Sequence, residues 1–258
     1  MAPGLDADKL SRVIRHLRLE QREGFSTDQY VKVTIGFPES WSRYVSEDIG
    51  IPARKLALIH RLNEVSACVR LVDFLDLLTA STLSRKTELL DEVGEDLEAS
   101  VYLVLAGHFR QAIALLRFAC ENSLLDIYLR QRTRYEEWRK GNLFVPTGTH
   151  LIKQVVPNHF TLHQELKSHF RELSRFVHVA SADVTNSDLN ICFQPERFDL
   201  WYHYFESSCL LITKVLLSFH TLRTGGPFSA AWRLFRLGTG RKKDDLEREI
   251  GDQRLPGR

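Results

Sequence analysis

The 258-residue chain lacks most of the signals that announce a chemistry. Its four cysteines, Cys68, Cys120, Cys192 and Cys209, are widely spaced and form no C-x-x-C pair, so neither a zinc ribbon nor a disulfide framework is indicated. Its glycines build no Walker A loop and no G-x-G-x-x-G. G-x-S-x-G and H-E-x-x-H are missing as well, which argues against the common nucleotide-binding, hydrolase and zinc-protease classes. No window of 18 residues is free of charge. The most apolar stretch, Cys209 to Phe219, contains Lys214 and is too short to span a bilayer, so no transmembrane segment is expected. Met1 to Asp8 has neither the basic start nor the apolar run of a signal peptide. The net charge of +2 requires no anionic partner. These absences fit a cytoplasmic protein whose cysteines act as small buried hydrophobes.

What is present is average for a globular chain, with 43% hydrophobic and 26% charged residues. That excludes a disordered chain, a collagen-like chain and a coiled-coil rod. The 3.6-residue period dominates. It predicts helices over about residues 7–23, 52–79, 88–106, 108–139, 150–156, 160–179 and 195–222, and a short amphipathic one over 228–237. Asp6 and Asp8 suit a cap for the first, and Pro52 and Pro195 fit first turns. A short strand at Tyr30–Ile35 is allowed by alternation, and 181–194 reads as a loop. The expected fold is all-α, a multi-helix bundle of five to seven helices with an irregular N-terminal connection and a flexible polar tail from Gly238. In domain terms this divides into 1–50, a main bundle over 51–222, and a basic-aromatic segment with tail over 223–258.

Four constellations carry chemistry. In Arg171-Glu172-Leu173-Ser174-Arg175-Phe176-Val177-His178, Arg171 and His178 are seven residues apart, about 700° of helix and so roughly one face. Ser174 and Arg175 lie between them. A histidine moves protons near neutrality, and a guanidinium holds phosphate with two parallel hydrogen bonds. Together they suit metal-free RNA cleavage, with histidine as acid or base and arginine on the phosphoryl charge. A surface pair or a helix-end histidine explains the same residues structurally. Arg117 and Glu121 are i, i+4 among apolar neighbours and read either as a pair ordering a cleft beside that helix or as a structural ion pair, with Arg110 on the same side. His159 and His163 lack a third ligand at motif spacing, so no metal and no cofactor is assigned. Finally, residues 221–243 contain Arg223, Arg233, Arg236, Arg241, Lys242 and Lys243 and no acid, interleaved with Phe228, Trp232, Phe235 and Leu237. That mix suits RNA, a partner groove or a membrane surface, or a helix docked on its own bundle with solvated charges.

The layout resembles a group of mostly uncharacterised bacterial helical proteins and, more distantly, the HEPN superfamily (higher eukaryotes and prokaryotes nucleotide-binding). The residues that carry it are Ala106-Gly107-His108-Phe109-Arg110-Gln111-Ala112, then Leu116-Arg117 to Glu121, and later Glu172 to His178. The resemblance covers about residues 55–222. It implies an often dimeric helical bundle and a metal-independent ribonuclease or RNA-binding protein of toxin or phage-defence type, with an antitoxin as possible partner. The family motif is an arginine followed after four to six residues by a histidine. Arg171 and His178 have six between them, with Glu172 where the family often has Asn, Asp or His. The other reading is a non-catalytic module that presents Trp232 and Phe235 to a protein or membrane.

Overall fold

The computed structural model describes residues 61–82, 87–105, 107–131, 134–158, 160–177, 195–219, 226–241, 245–246 and 248–249. The expected helix over 7–23, the strand at Tyr30–Ile35, the loop over 181–194, and His159, His178, Cys192, Lys242 and Lys243 lie outside these residues.

Among the described residues eight helices follow one another: α1 (Leu62–Thr82), α2 (Glu88–Leu105), α3 (Phe109–Gln131), α4 (Tyr135–Arg139), α5 (Gly148–Val155), α6 (Thr161–Val177), α7 (Pro195–Phe219) and α8 (Gly226–Thr239). No strand occurs among the described residues, so the fold is all-α. None of the described helices is long and apolar enough to cross a membrane. The count exceeds the expected five to seven partly because the run expected over 108–139 is two helices. At Arg134 the backbone leaves the helical region (φ −109°, ψ 14°), and its N–H reaches back to the Leu129 carbonyl at 3.1 Å to close α3. The single turn of α4 then starts anew.

Two helices form the centre. α1 packs against α2, α7 and α8, and α3 packs against α2, α5, α6 and α7. α7 is the seam between them, because it touches α1, α2, α3 and α6. Its Phe198, Trp201, Phe205 and Cys209 are fully buried, one per turn. Each buried phenylalanine removes enough apolar surface to contribute about 1.5–3 kcal/mol. Buried polar groups tie α7 to α2 and α3. Trp201 Nε1 donates to Ser100 Oγ at 2.8 Å, and Ser100 Oγ donates to the Ala112 carbonyl at 2.9 Å. An indole N–H in a dry core needs such a partner, and its loss would leave the full desolvation cost.

Close approach to α1 needs two glycines. A β-carbon on Gly94 of α2 would lie 2.7 Å from Asp76 Oδ1, and one on Gly238 of α8 would lie 2.9 Å from Leu71 Cγ. Gly94 is therefore a point of close approach between α2 and α1. Beyond α8 the packed chain runs further than the polar tail suggests. Leu246 is fully buried, and Glu249 meets Lys214 at 3.1 Å. Lys214 is itself buried and also bonds Glu165 of α6 at 2.9 Å. A buried ammonium requires such partners, and here the tail supplies one of the two.

Candidate functional site

α6 is amphipathic in the strict sense. Leu162, Leu166, His169, Phe170 and Leu173 are buried, and Thr161, Gln164, Ser168, Arg171 and Arg175 are exposed. Arg171 and Arg175 are one turn apart on the solvent face, as the sequence places them. Arg175 bonds Glu172 at 3.3 Å while staying 66% exposed. Such an open pair is worth at most about 1 kcal/mol and gives way to a competing anion. Ser174 does not face a ligand, because its hydroxyl donates back to the Phe170 carbonyl at 2.6 Å.

The carboxyl-terminal end of α6 is built by two other helices, α3 and α7. Arg110 of α3 donates through Nε to the Phe176 carbonyl at 3.2 Å and through a terminal nitrogen to the Val177 carbonyl at 3.5 Å. A guanidinium there satisfies carbonyls that the helix itself leaves open and complements the negative end of its dipole. Phe109 meets Phe176 edge-on at 5.7 Å, and Phe176 meets Tyr204 of α7 at 5.6 Å. The Arg197 guanidinium lies over the Phe109 ring, 5.7 Å from its centroid. The His203 and His169 rings lie 5.7 and 6.1 Å from the Tyr204 ring, centroid to centroid. The result is a row of three aromatic rings bordered by Arg110, Arg175 and Arg197. Burial, then the charge of Glu172, raises the Tyr204 phenol, and Arg175 opposes the rise. Tyr204 is therefore a neutral hydrogen-bonding ring at ordinary pH.

Under this row sits a buried network. His169 Nε2 is hydrogen-bonded to Ser208 Oγ at 2.8 Å, and Ser208 also bonds the Cys120 thiol. Burial, with some help from His203, lowers His169 to about 4, so it is neutral near pH 7. Burial pushes Cys120 up to about 12 and raises Cys68 and Cys209 well above the usual range, which leaves all three as unreactive thiols. His163 donates through Nδ1 to the Val156 carbonyl at 2.9 Å. Among the described residues no group of three or more His, Cys, Asp or Glu side chains is placed to hold a metal ion.

The other expected site residues go elsewhere. Arg117 is half-buried on α3, and the Glu121 carboxylate accepts the Gly148 N–H at 2.6 Å, at the first turn of α5. Glu121 thus caps a helix, which an i, i+4 spacing does not reveal. In α8 the structure closes the aromatic face. Trp232 and Phe235 are buried, 5.5 and 4.9 Å from the Phe74 ring of α1. Arg236 is exposed, Arg233 is half-buried, and Arg241 bonds Glu249.

A concavity lies toward the other end of α3 from Phe109. A groove of about 570 Å³ is lined by Tyr128, Phe144, Pro146, Thr147, His150 and Gln154. Sequence reading passed over it, because its lining residues come from α3, from α5 and from the segment between α4 and α5. It also missed Phe109, Arg197 and Tyr204 as a set, since they meet only through packing. Compared with protein-family models, with characterised proteins and with solved structures, the chain matches none of them.

Proposed function

We propose that this chain binds single-stranded RNA at the carboxyl-terminal end of α6 and cleaves it without a metal ion. The observation that carries this reading is the row Phe109–Phe176–Tyr204 bordered by Arg110, Arg175 and Arg197, beside exposed Arg171. Aromatic rings among guanidinium groups suit RNA, because the half-buried rings of Phe176 and Tyr204, backed by buried Phe109, accept bases and the cations bind phosphates. Arg171 binds the scissile phosphate. His178, the residue after Val177 in sequence, takes the proton of the ribose 2′-hydroxyl as that oxygen attacks the adjacent phosphorus. The bond to the 5′-oxygen breaks, and that oxygen leaves with a proton from solvent. The products are a 2′,3′-cyclic phosphate and a 5′-hydroxyl. Two copies joined near these ends would form one composite cleft, and a toxin-like activity of this kind would call for an antitoxin partner. The rival module is disfavoured by α8, whose Trp232 and Phe235 are spent on the core.

The test is RNA cleavage in EDTA by the wild type, Arg171→Ala and His178→Ala, with folding checked by circular dichroism. The expected result is a loss of roughly 100-fold or more in each variant, the size of effect that a group on transition-state charge usually has. Equal cleavage by all three proteins, or none by the wild type, overturns the cleavage reading.

A further inference from the structure

The groove between α3 and α5 has the chemistry of a second ligand site. Its volume of about 570 Å³ falls in the range of small-molecule and nucleotide sites. Its walls are firmly held. Leu151, Ile152, Val155 and Val156 anchor α5 in the core, and Glu121 fixes its first turn through Gly148. Tyr128 is nearly buried on the α3 side. Phe144, by contrast, is 94% exposed. A lone exposed ring is ordinary, but this one lines a concavity that also holds a tyrosine.

Charge decides what the groove suits. From Trp138 to Gln164 the sequence carries Arg139, Lys140 and Lys153 and no acidic residue. Arg139 pairs with Glu88 at 3.1 Å. Lys140 and Lys153 are exposed, and Lys153 adjoins Gln154 on the same turn of α5. The Glu121 carboxylate, at the first turn of α5, is engaged with the helix end, and Asp126, two residues before Tyr128, is fully buried and bonded to Thr87 and Arg130. On α4, Glu137 is paired with Arg134 at 2.7 Å and Glu136 is exposed. An apolar peptide would have no use for the lysines. A polyanion without bases would have no use for the rings.

We propose that this groove takes a base of single-stranded nucleic acid, stacked on Phe144, with Lys153 and Lys140 on the neighbouring phosphates. Thr147, His150 and Gln154 offer hydrogen bonds to the base edge. The site stands on its own residues and does not require RNA at the end of α6.

The experiment is fluorescence anisotropy of the full chain with labelled decauridylate and decathymidylate. Phe144→Ala should weaken binding about tenfold or more, because one base–aromatic stack is worth about 1–3 kcal/mol. Phe144→Trp should restore it. Lys153→Ala should reduce the slope of log affinity against log salt by about 0.7, one phosphate contact on a single strand. Phe144 is on the surface, so its variants should fold. Arg171→Ala separates the two sites. Weakening by Arg171→Ala with Phe144→Ala unchanged overturns the groove and spares the α6 reading. Weakening by Phe144→Ala alone supports the groove and removes α6 from binding. No affinity of the wild type for either oligonucleotide overturns the groove. Binding of both probes supports recognition of base and phosphate, and binding of decauridylate alone adds a contact to the 2′-hydroxyl.

Discussion

In α6, exposed Arg171 and Arg175 precede the half-buried Phe176. In α8, Arg233 and Arg236 alternate with Trp232 and Phe235. The two helices look alike as strings of letters, yet they serve different ends. Trp232 and Phe235 of α8 pack on Phe74 and extend the core over α1. Phe176 lies at a corner where three helices meet, and its half-buried ring packs between buried Phe109 and half-buried Tyr204. Aromatic–arginine interleaving therefore marks an interface of some kind without saying whether the other side is the same chain. What separates the two cases is whether another helix covers the rings.

The difference can be broken most severely at Phe235. Truncating a fully buried ring leaves a cavity, so Phe235→Ala should cost about 3–5 kcal/mol in urea denaturation. Phe176→Ala, at a half-buried corner, should cost clearly less while reducing RNA binding. Equal losses from both would erase the distinction between a core helix and a site helix.

A second measurement sharpens the contrast within α6, between its wet face and its dry one. His169 falls to about 4 in the fold, below the ordinary value of 6.5. The unfolded chain therefore binds the proton more readily, and stability is lost as pH falls from about 6.5 toward 4. The contribution is about 3 kcal/mol in order of magnitude. Asp96, raised to about 6 by burial and by Glu92 and Glu95, works in the opposite direction. Its folded form holds the proton longer, so its contribution favours the fold at low pH and is lost as pH rises through 6. Comparison with His169→Gln isolates the histidine. The stability gap between wild type and variant should shrink as pH is lowered from 7 to 4.5, followed by thermal melts. A constant gap would show that His169 does not titrate in that window.

The smallest effect is expected at Arg236. It is exposed on α8, so Arg236→Ala should change stability by no more than about 0.5 kcal/mol and leave RNA cleavage intact. A marked loss of cleavage would restore α8 as a binding surface.

Much of the architecture was legible in the sequence because helical periodicity is a local property. Leu162, Leu166, Phe170 and Leu173 fall on one stripe whatever they pack against. Arg171 and Arg175 share the opposite stripe for the same reason. The break near Arg134 was not legible, since nothing in composition ends α3 there. Nor was the role of Glu121, because its partner Gly148 is distant in sequence. Nor was the place of Gly94 and Gly238, which only the position of α1 beside them reveals.

The sequence by itself determined the helical class, the polar and apolar faces of each helix, and the lack of an apolar span, all of which follow from spacing and composition. Tertiary structure alone decided which arginine–aromatic pattern is covered, that Arg110 closes the end of α6, and that Phe109, Phe176 and Tyr204 form one row. Those outcomes depend on contacts between residues far apart in the chain, and such contacts are set by how helices pack, which no local period encodes.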